Sequence, residues 1–219
     1  MKYPFFFYKI KWFKNIKKSF LIAASSVLLT LTGCASYNAS PLNMLSTEMM
    51  LSHSDPDVKN SNLLVVAKSF SKEDCERYLD RDVIRKGYQP VQLFIQNNSN
   101  KDYHFSLNRI SMPSAKPDEV AKKVHTNTAG RATGYAVAGL LTSGLLFIPA
   151  IVDGIGSANA NEALDYDFST KVAQDQTIYS HSHFNKLLFV PVSAYEQILS
   201  ITLIDKETSL PETIKVYID

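Results

Sequence analysis

Short runs in which apolar residues dominate, or alternate with polar ones, recur along the chain and predict β-strands. Turn-forming residues at 97–102 separate two of these runs, so the pattern predicts a β-hairpin there. Many short strands divided by turns favour an antiparallel β-sandwich that is immunoglobulin-like in a broad sense. The runs are 63–67, 91–96, 103–110, 187–190, 198–204 and 214–218.

The region between the early and late strands has a helical pattern instead. Ser71 and Asp74 have the spacing of a capping box and predict a short helix through about Leu79. Residues 116–123 are charged and predicted to be helical. Residues 157–174 predict an amphipathic helix, with one apolar stripe formed by Ala160, Leu164, Phe168 and Val172. The predicted fold class is therefore α+β, mainly β: a β-sandwich interrupted at about 116–174 by a glycine-rich helical insertion.

Residues 132–152 of this insertion contain no charged side chain. The length matches the ~20 apolar residues that cross a bilayer, although Pro149 disfavours a simple spanning helix. Two interpretations remain open. The preferred one is a helix or helical hairpin buried against the sandwich. The other is a second membrane contact, in which small residues permit close helix packing. Its candidate residues are Gly134, Gly139, Leu140, Leu141, Gly144 and Phe147.

The first 33 residues have the three parts of an export signal. Six lysines and no acids precede an apolar run at 20–31, which is too short to span a bilayer comfortably. The run ends in the sequence Leu31-Thr32-Gly33-Cys34. The alternatives for this segment are an ordinary signal peptide or an uncleaved signal anchor, with a cysteine nearby by chance.

These four residues resemble the lipobox of bacterial lipoproteins. The resemblance implies cleavage between Gly33 and Cys34, transfer of diacylglycerol to the Cys34 thiol, and a further acyl chain such as palmitate on the new amino group. Two or more acyl chains anchor a protein stably, whereas one binds only marginally. Because Ala35 rather than Asp follows the cysteine, the resemblance implies the outer membrane, facing the periplasm or the surface.

Three segments follow from this assignment: a signal peptide at 1–33, a lipidated tether at 34–61 and a β domain at 62–219. The tether is rich in Ser, Asn and Asp, and an extended segment of this kind would lift the domain off the bilayer. Removal of the signal changes the net charge from +2 to −4. A mildly acidic domain gives no support for binding nucleic acid.

Cys75 is the one cysteine left once Cys34 carries lipid, so neither an intramolecular disulfide nor a cysteine-based zinc site is expected. Cys75 is interpreted as a half-buried helix residue, the alternative being a thiol for intermolecular pairing. His181 and His183 would place two imidazoles on one side of a strand, as a metal pair needs, with Asp175 or His125 as a conceivable third ligand. Turn or edge histidines are commoner, so no metal is predicted.

Catalytic motifs are missing from the sequence. It has no Gly-x-Ser-x-Gly, no Walker lysine pattern and no complete glycine-rich phosphate loop, so we expect neither an enzyme nor a cofactor. Segments 85–92 and 97–99, and later 175–178, 186–191 and 202–205, resemble in their order a group of uncharacterised bacterial lipoproteins with a small all-β domain. The resemblance covers the larger part of the mature chain. The group has no known activity that could be expected of this chain.

The sequence therefore predicts a lipid-anchored protein of the bacterial envelope that binds or scaffolds other envelope proteins without catalysis. The alternative is a membrane-inserting lipoprotein that acts through 132–152. Either form would allow a homo-oligomer.

Overall fold

The computed structural model describes residues 36–45, 62–127 and 147–219, the last range with side chains from residue 156 onward. The chain divides into two compact units. One comprises Met1–Ser36 and Asn127–Ala158, and the other comprises Tyr37–Thr126 and Asn159–Asp219. The second unit contains every described strand and is the domain in which the side-chain contacts can be followed.

The described strands form two antiparallel sheets, so the fold is α+β and mainly β. Sheet A has the strand order β1-β2-β5, and sheet B has the order β4-β3-β6-β7. The strands are β1 (Leu63–Ser69), β2 (Tyr88–Asn97), β3 (Tyr103–Phe105), β4 (Gln176–Ile178), β5 (His183–Pro191), β6 (Ile198–Asp205) and β7 (Pro211–Tyr217). Predicted strands are thus confirmed at six places, the one at 103–110 only over its first three residues, and β4 is additional.

One hydrophobic cluster is built from both sheets, because alternate residues of each strand face inward. In β6, Leu199, Ile201 and Leu203 are fully buried while the residues between them are partly exposed. The rings of Phe105 in sheet B and Phe184 in sheet A lie 4.7 Å apart between their centroids. Full burial of such a side chain stabilises the fold by about 1.5–3 kcal/mol.

The predicted hairpin of the strands at 91–96 and 103–110 is wrong. β2 pairs with β1 on one side, Val65 opposite Ile95, and with β5 on the other, Val91 opposite Leu188. Both edges of β2 are therefore occupied. β3 crosses to sheet B and pairs with β4 and β6. It has only three residues, because a 3₁₀ turn at Leu107–Arg109 follows it.

Three helices are described: α1 (Lys72–Leu79), α2 (Pro117–Val124) and α3 (Phe147–Lys171). The capping box at the start of α1 is confirmed, since Ser71 and Asp74 bond reciprocally. Side chains from all three helices form a second hydrophobic cluster with the outward-facing Leu187 and Phe189 of sheet A. The helices therefore cover one face of sheet A, and sheet B covers the other. The predicted apolar stripe is confirmed, with Ala160, Leu164, Phe168 and Val172 all buried. The helix itself ends at Lys171, before Val172 and the predicted end at 174.

Helix α3 begins ten residues before the predicted start at 157. Pro149 lies in its first turn, where a missing N–H breaks no intrahelical bond. Among the described residues, no helix is both long enough and apolar enough to cross a bilayer. Phe147 starts α3. The other candidate membrane contacts, Gly134, Gly139, Leu140, Leu141 and Gly144, lie outside the described residues.

Candidate functional site

Residues Tyr37–Leu45, called the strap here, lie against the domain as an extended segment without regular secondary structure. The backbone N–H of Ser40 donates to the carbonyl oxygen of Arg77 at 2.9 Å. Farther along, the Gln92 side chain donates to the carbonyl oxygen of Asn43 at 2.7 Å. The strap therefore connects the end of α1 to the outer face of sheet A.

A buried lysine holds the strap at its centre. The ammonium group of Lys171 donates to the carbonyl oxygens of Ser40 at 2.8 Å and Tyr78 at 2.7 Å, and to the Asp167 carboxylate at 2.6 Å. A lysine ammonium has three donors, so all of them are used. A charge withdrawn from water is tolerated only when it is paired and hydrogen-bonded in this way.

Tyr37 fixes the beginning of the strap. Its hydroxyl donates to Oδ2 of Asp167 at 2.5 Å, and the Arg81 guanidinium lies 5.3 Å from the centre of its ring. Burial, followed by the bond to Asp167, raises the pKa of the Tyr37 phenol well above its usual value. The hydroxyl therefore remains a donor throughout the physiological pH range.

Leu45 fixes the other end. It is buried against Val66 and Phe94 on the outer face of sheet A, in a small cluster separate from the main cores. The strap is thus held by an apolar contact at one end and by charged hydrogen bonds at the other. The folded domain consequently begins at Tyr37, inside the stretch 34–61 that the sequence predicts to be a tether.

Two open clefts flank Asn185 on the outside of β5. The larger, about 400 Å³, lies between β4 and the first half of β5, and includes Thr177, Tyr179 and Lys186. The smaller, about 340 Å³, lies between the strap and α3. The larger cleft offers hydroxyl, amide, imidazole and ammonium groups, and no carboxylate occurs among its described lining residues. It is suited to holding polar groups.

The outer face of sheet B is a second exposed surface. Ile198 and Tyr217 are paired across β6 and β7, and both are exposed. Beside them, Thr202 and Thr213 share a hydrogen bond of 2.9 Å. With Lys215 also on this face, the surface is rich in hydroxyl groups and nearly neutral. We call it the sheet B face.

The two candidate metal-binding histidines have different partners. His181 lies in the turn before β5 with a positive φ of 53°, and its Nε2 lies 2.9 Å from the Asn100 side-chain oxygen. His183 stacks on Phe94, with 6.0 Å between the ring centroids.

The conceivable third ligands lie in other contacts. Asp175 accepts from the Ser106 hydroxyl at 2.7 Å, and His125 lies 2.6 Å from Asp165. Within the described residues, no group of three histidines, cysteines or acids is placed to hold a metal ion.

Cys75 is completely buried among the helices, more deeply than the half-buried position predicted from the sequence. Burial raises the pKa of its thiol to about 12. The thiolate form, which is the reactive one, is therefore scarce at neutral pH. Gly33 and Cys34 lie outside the described residues.

The strap and its buried lysine were missed by the sequence analysis. A signal was present, because Lys171 follows Leu164 by seven positions and Phe168 by three. Those spacings place it on the buried stripe of α3. A charged residue on an apolar stripe indicates either a helix end or a specific buried partner.

No family model, curated protein or solved structure matches the chain. Function is therefore inferred from the residues and their geometry alone.

Proposed function

We propose that the chain is a lipid-anchored protein of the bacterial cell envelope, attached through Cys34, that binds or scaffolds other envelope proteins without catalysis. The observation that carries the proposal is the position of Tyr37. The domain begins three residues after the cysteine of the lipobox-like motif. A cleavage product starting at Cys34 would keep the whole strap and every contact of Lys171.

We further propose that the two sheets form an immunoglobulin-like sandwich with a glycine-rich helical insertion. In such folds, one sheet contains strands A, B and E. The other sheet contains strands C, F and G, with C′ as an additional strand beside C at its edge. The order β1-β2-β5 corresponds to A-B-E, and β4-β3-β6-β7 corresponds to C′-C-F-G. The insertion would then lie between C and C′, where the chain supplies α2 and α3.

The sheet B face is the surface that we assign to partner binding. Helices and strap occupy the outer face of sheet A, which leaves the outer side of sheet B with exposed Ile198, Thr213 and Tyr217. An exposed tyrosine beside an aliphatic residue supplies contact area and a hydroxyl at low conformational cost. The near-neutral character of this face suits another envelope protein better than a charged polymer.

The test of anchoring compares the wild-type chain with Cys34→Ser and Cys75→Ala, the latter as a matched cysteine control. After growth with a labelled palmitate, the wild type and Cys75→Ala should carry the label in the membrane fraction. Cys34→Ser should carry none, and mass spectrometry of the wild type should give a lipidated N-terminal peptide that begins at Cys34. Equal labelling of Cys34→Ser would overturn the proposal.

Partner binding is tested by site-specific photocrosslinking in cells. A crosslinking amino acid at Thr213 or Lys215, on the sheet B face, should give a defined adduct with an envelope protein. The same amino acid at Glu162, which is exposed on α3, should not. Identical adducts from all three positions would contradict the assignment of the face.

A further inference from the structure

The strap changes how far the domain can stand from the membrane. Three peptide links separate Cys34 from Tyr37, and a fully extended chain gains about 3.3–3.6 Å per residue, so Tyr37 lies within roughly 10 Å of the lipidated residue. A free segment through residue 45 would add nine residues and roughly 30 Å of reach. The contacts of Tyr37, Ser40, Asn43 and Leu45 with the domain remove that reach.

Helix α3 passes close to this attachment point. Tyr166 directly precedes Asp167, whose carboxylate bonds to Tyr37. Its side chain is 73% exposed, and it lies two positions from both Leu164 and Phe168. At about 100° per residue, two positions place it opposite the buried stripe. An exposed tyrosine is amphipathic and is favoured at the headgroup level of a bilayer.

We propose that the exposed surface around Tyr37, which includes Arg77 and Tyr166, rests against the headgroups of the bilayer that holds Cys34. The proposal rests on lipidation of Cys34, as proposed above, and commits to lipid as the occupant of this surface. Arginine and tyrosine side chains suit it, since each presents an apolar body with a polar end to the interface. Because the strap is bound to the domain, it keeps the domain close to the membrane instead of acting as a long tether.

The geometry also assigns an orientation. Helices, sheet A and sheet B form successive layers, and packed sheets lie about 10 Å apart. With a helix diameter of about 10–12 Å, Tyr217 on the sheet B face stands clear of lipid when Tyr166 touches it. The surface assigned to partner binding therefore points away from the membrane.

The experiment uses the full-length lipidated protein in phosphatidylcholine vesicles that contain a headgroup-nitroxide lipid as a short-range quencher. Tyr166→Cys and Tyr217→Cys form a matched pair, because both replace an exposed tyrosine and both accept a fluorescent label. Cys75 is buried and stays unlabelled. We expect quenching at position 166 to exceed that at 217 several-fold.

A second variant carries fifteen Gly and Ser residues inserted between Ser36 and Tyr37. The insertion should reduce quenching at position 166 to the level seen at 217, while leaving the lipid attached and the melting temperature unchanged. Two results would contradict membrane contact imposed by the short link to Cys34: equal quenching at the two positions in the lipidated protein, or quenching at 166 that survives the insertion. Either would leave the proposed function intact. A full-length protein that carries no lipid and fails to bind the vesicles would overturn the proposed function. It would also overturn the proposed membrane contact.

Discussion

The ammonium nitrogen of Lys171 lies 2.6 Å from the carboxylate of Asp167, one turn earlier on the same helix. The same carboxylate accepts the hydrogen bond from Tyr37. One ion pair, with a buried ammonium group and a partly exposed carboxylate, thus contacts the first residue of the domain and the middle of the strap.

Replacement Lys171→Met should release the strap. Breaking a buried pair by removing one partner costs about 3–5 kcal/mol, and partial exposure of Asp167 puts the expected loss near the lower limit. Hydrogen exchange of residues 37–45 should accelerate together with a fall in the unfolding free energy. Lys215→Met removes an exposed lysine and serves as the control. Unchanged exchange in the strap of Lys171→Met would show that the strap is held by other contacts.

The stabilisation that Asp205 gives to the turn between β6 and β7 should be lost in acid. Its carboxylate lies 2.8 Å from the Lys101 ammonium and accepts backbone N–H bonds from Glu207 and Thr208. The bond from Lys101, followed by those backbone bonds, holds the pKa of Asp205 well below its usual range. Because the folded pKa is the lower one, this stabilisation is present above the unfolded value of about 3.9 and disappears as pH falls below it.

The variant Asp205→Asn should therefore be less stable than the wild type at pH 7, and the difference should shrink toward pH 2. Urea unfolding at a series of pH values measures this difference directly. Glu207→Gln, which changes an exposed acid in the same turn, should show no comparable pH-dependent gap. A constant difference for Asp205→Asn across the series would exclude the ion pair as its cause.

Thiol counting tests the burial of Cys75 and the lipidation of Cys34 together. In mild detergent, a maleimide dye should label no thiol of the native protein. Cys75 is buried with a pKa raised to about 12, and the proposed lipidation would block Cys34. After denaturation the dye should label one thiol, and none in Cys75→Ala. One labelled thiol in the native wild type, retained in Cys75→Ala, would indicate that Cys34 is free.

Asn97 holds the connection between the two sheets. Its amide nitrogen donates to the carbonyl oxygens of Lys101 at 2.7 Å and Tyr179 at 2.9 Å, and its oxygen accepts from the Ser99 N–H at 3.0 Å. The residue is fully buried. Losing one side of such a network leaves buried groups unpaired, at about 1–3 kcal/mol each.

The substitution Asn97→Asp keeps the shape but directs a carboxylate oxygen at two carbonyl oxygens. Burial and this repulsion favour the protonated form, so the folded pKa would be raised. The variant should then be most stable below the unfolded pKa and lose stability as pH rises. Thermal melting at pH 4 and pH 8 checks the sign. Asn98→Asp, at the exposed neighbouring position, should lack this dependence; a similar pH effect in both would refute the role of Asn97.

The sequence predicted the positions of the strands better than it predicted which strands pair with each other. Alternation along 198–204 identified β6 because one of its faces is solvated, and the stripe of Leu164 and Phe168 identified α3. The turn at 97–102 was also foreseen, yet its composition fits a hairpin and a crossing between sheets equally well. A hairpin is excluded because β1 and β5 occupy both edges of β2. Of these two strands, β5 lies late in the chain, so the local sequence of the turn does not reveal it.

The candidate site was less predictable. Ser and Asn residues around Ser40 and Asn43 have the composition of a flexible linker, and their local sequence carries no hydrophobic period. Order there comes from Lys171 and Gln92, which are far away in sequence and meet the strap only in the folded domain. Single-sequence patterns capture local preference and miss such tertiary partners.

The position of β2 between β1 and β5 also has a kinetic consequence. Sheet A is complete only when Val91 meets Leu188, and both helical segments α2 and α3 must be accommodated before that pairing forms. Non-local strand pairing of this kind slows folding, because loop closure precedes the contacts that compensate for it. A nascent chain therefore exposes the edge of β2 until its last quarter has been synthesised, and unpaired edges of this sort are prone to aggregate. We expect a holding chaperone to bind the unfolded chain until its C-terminal strands are available for pairing.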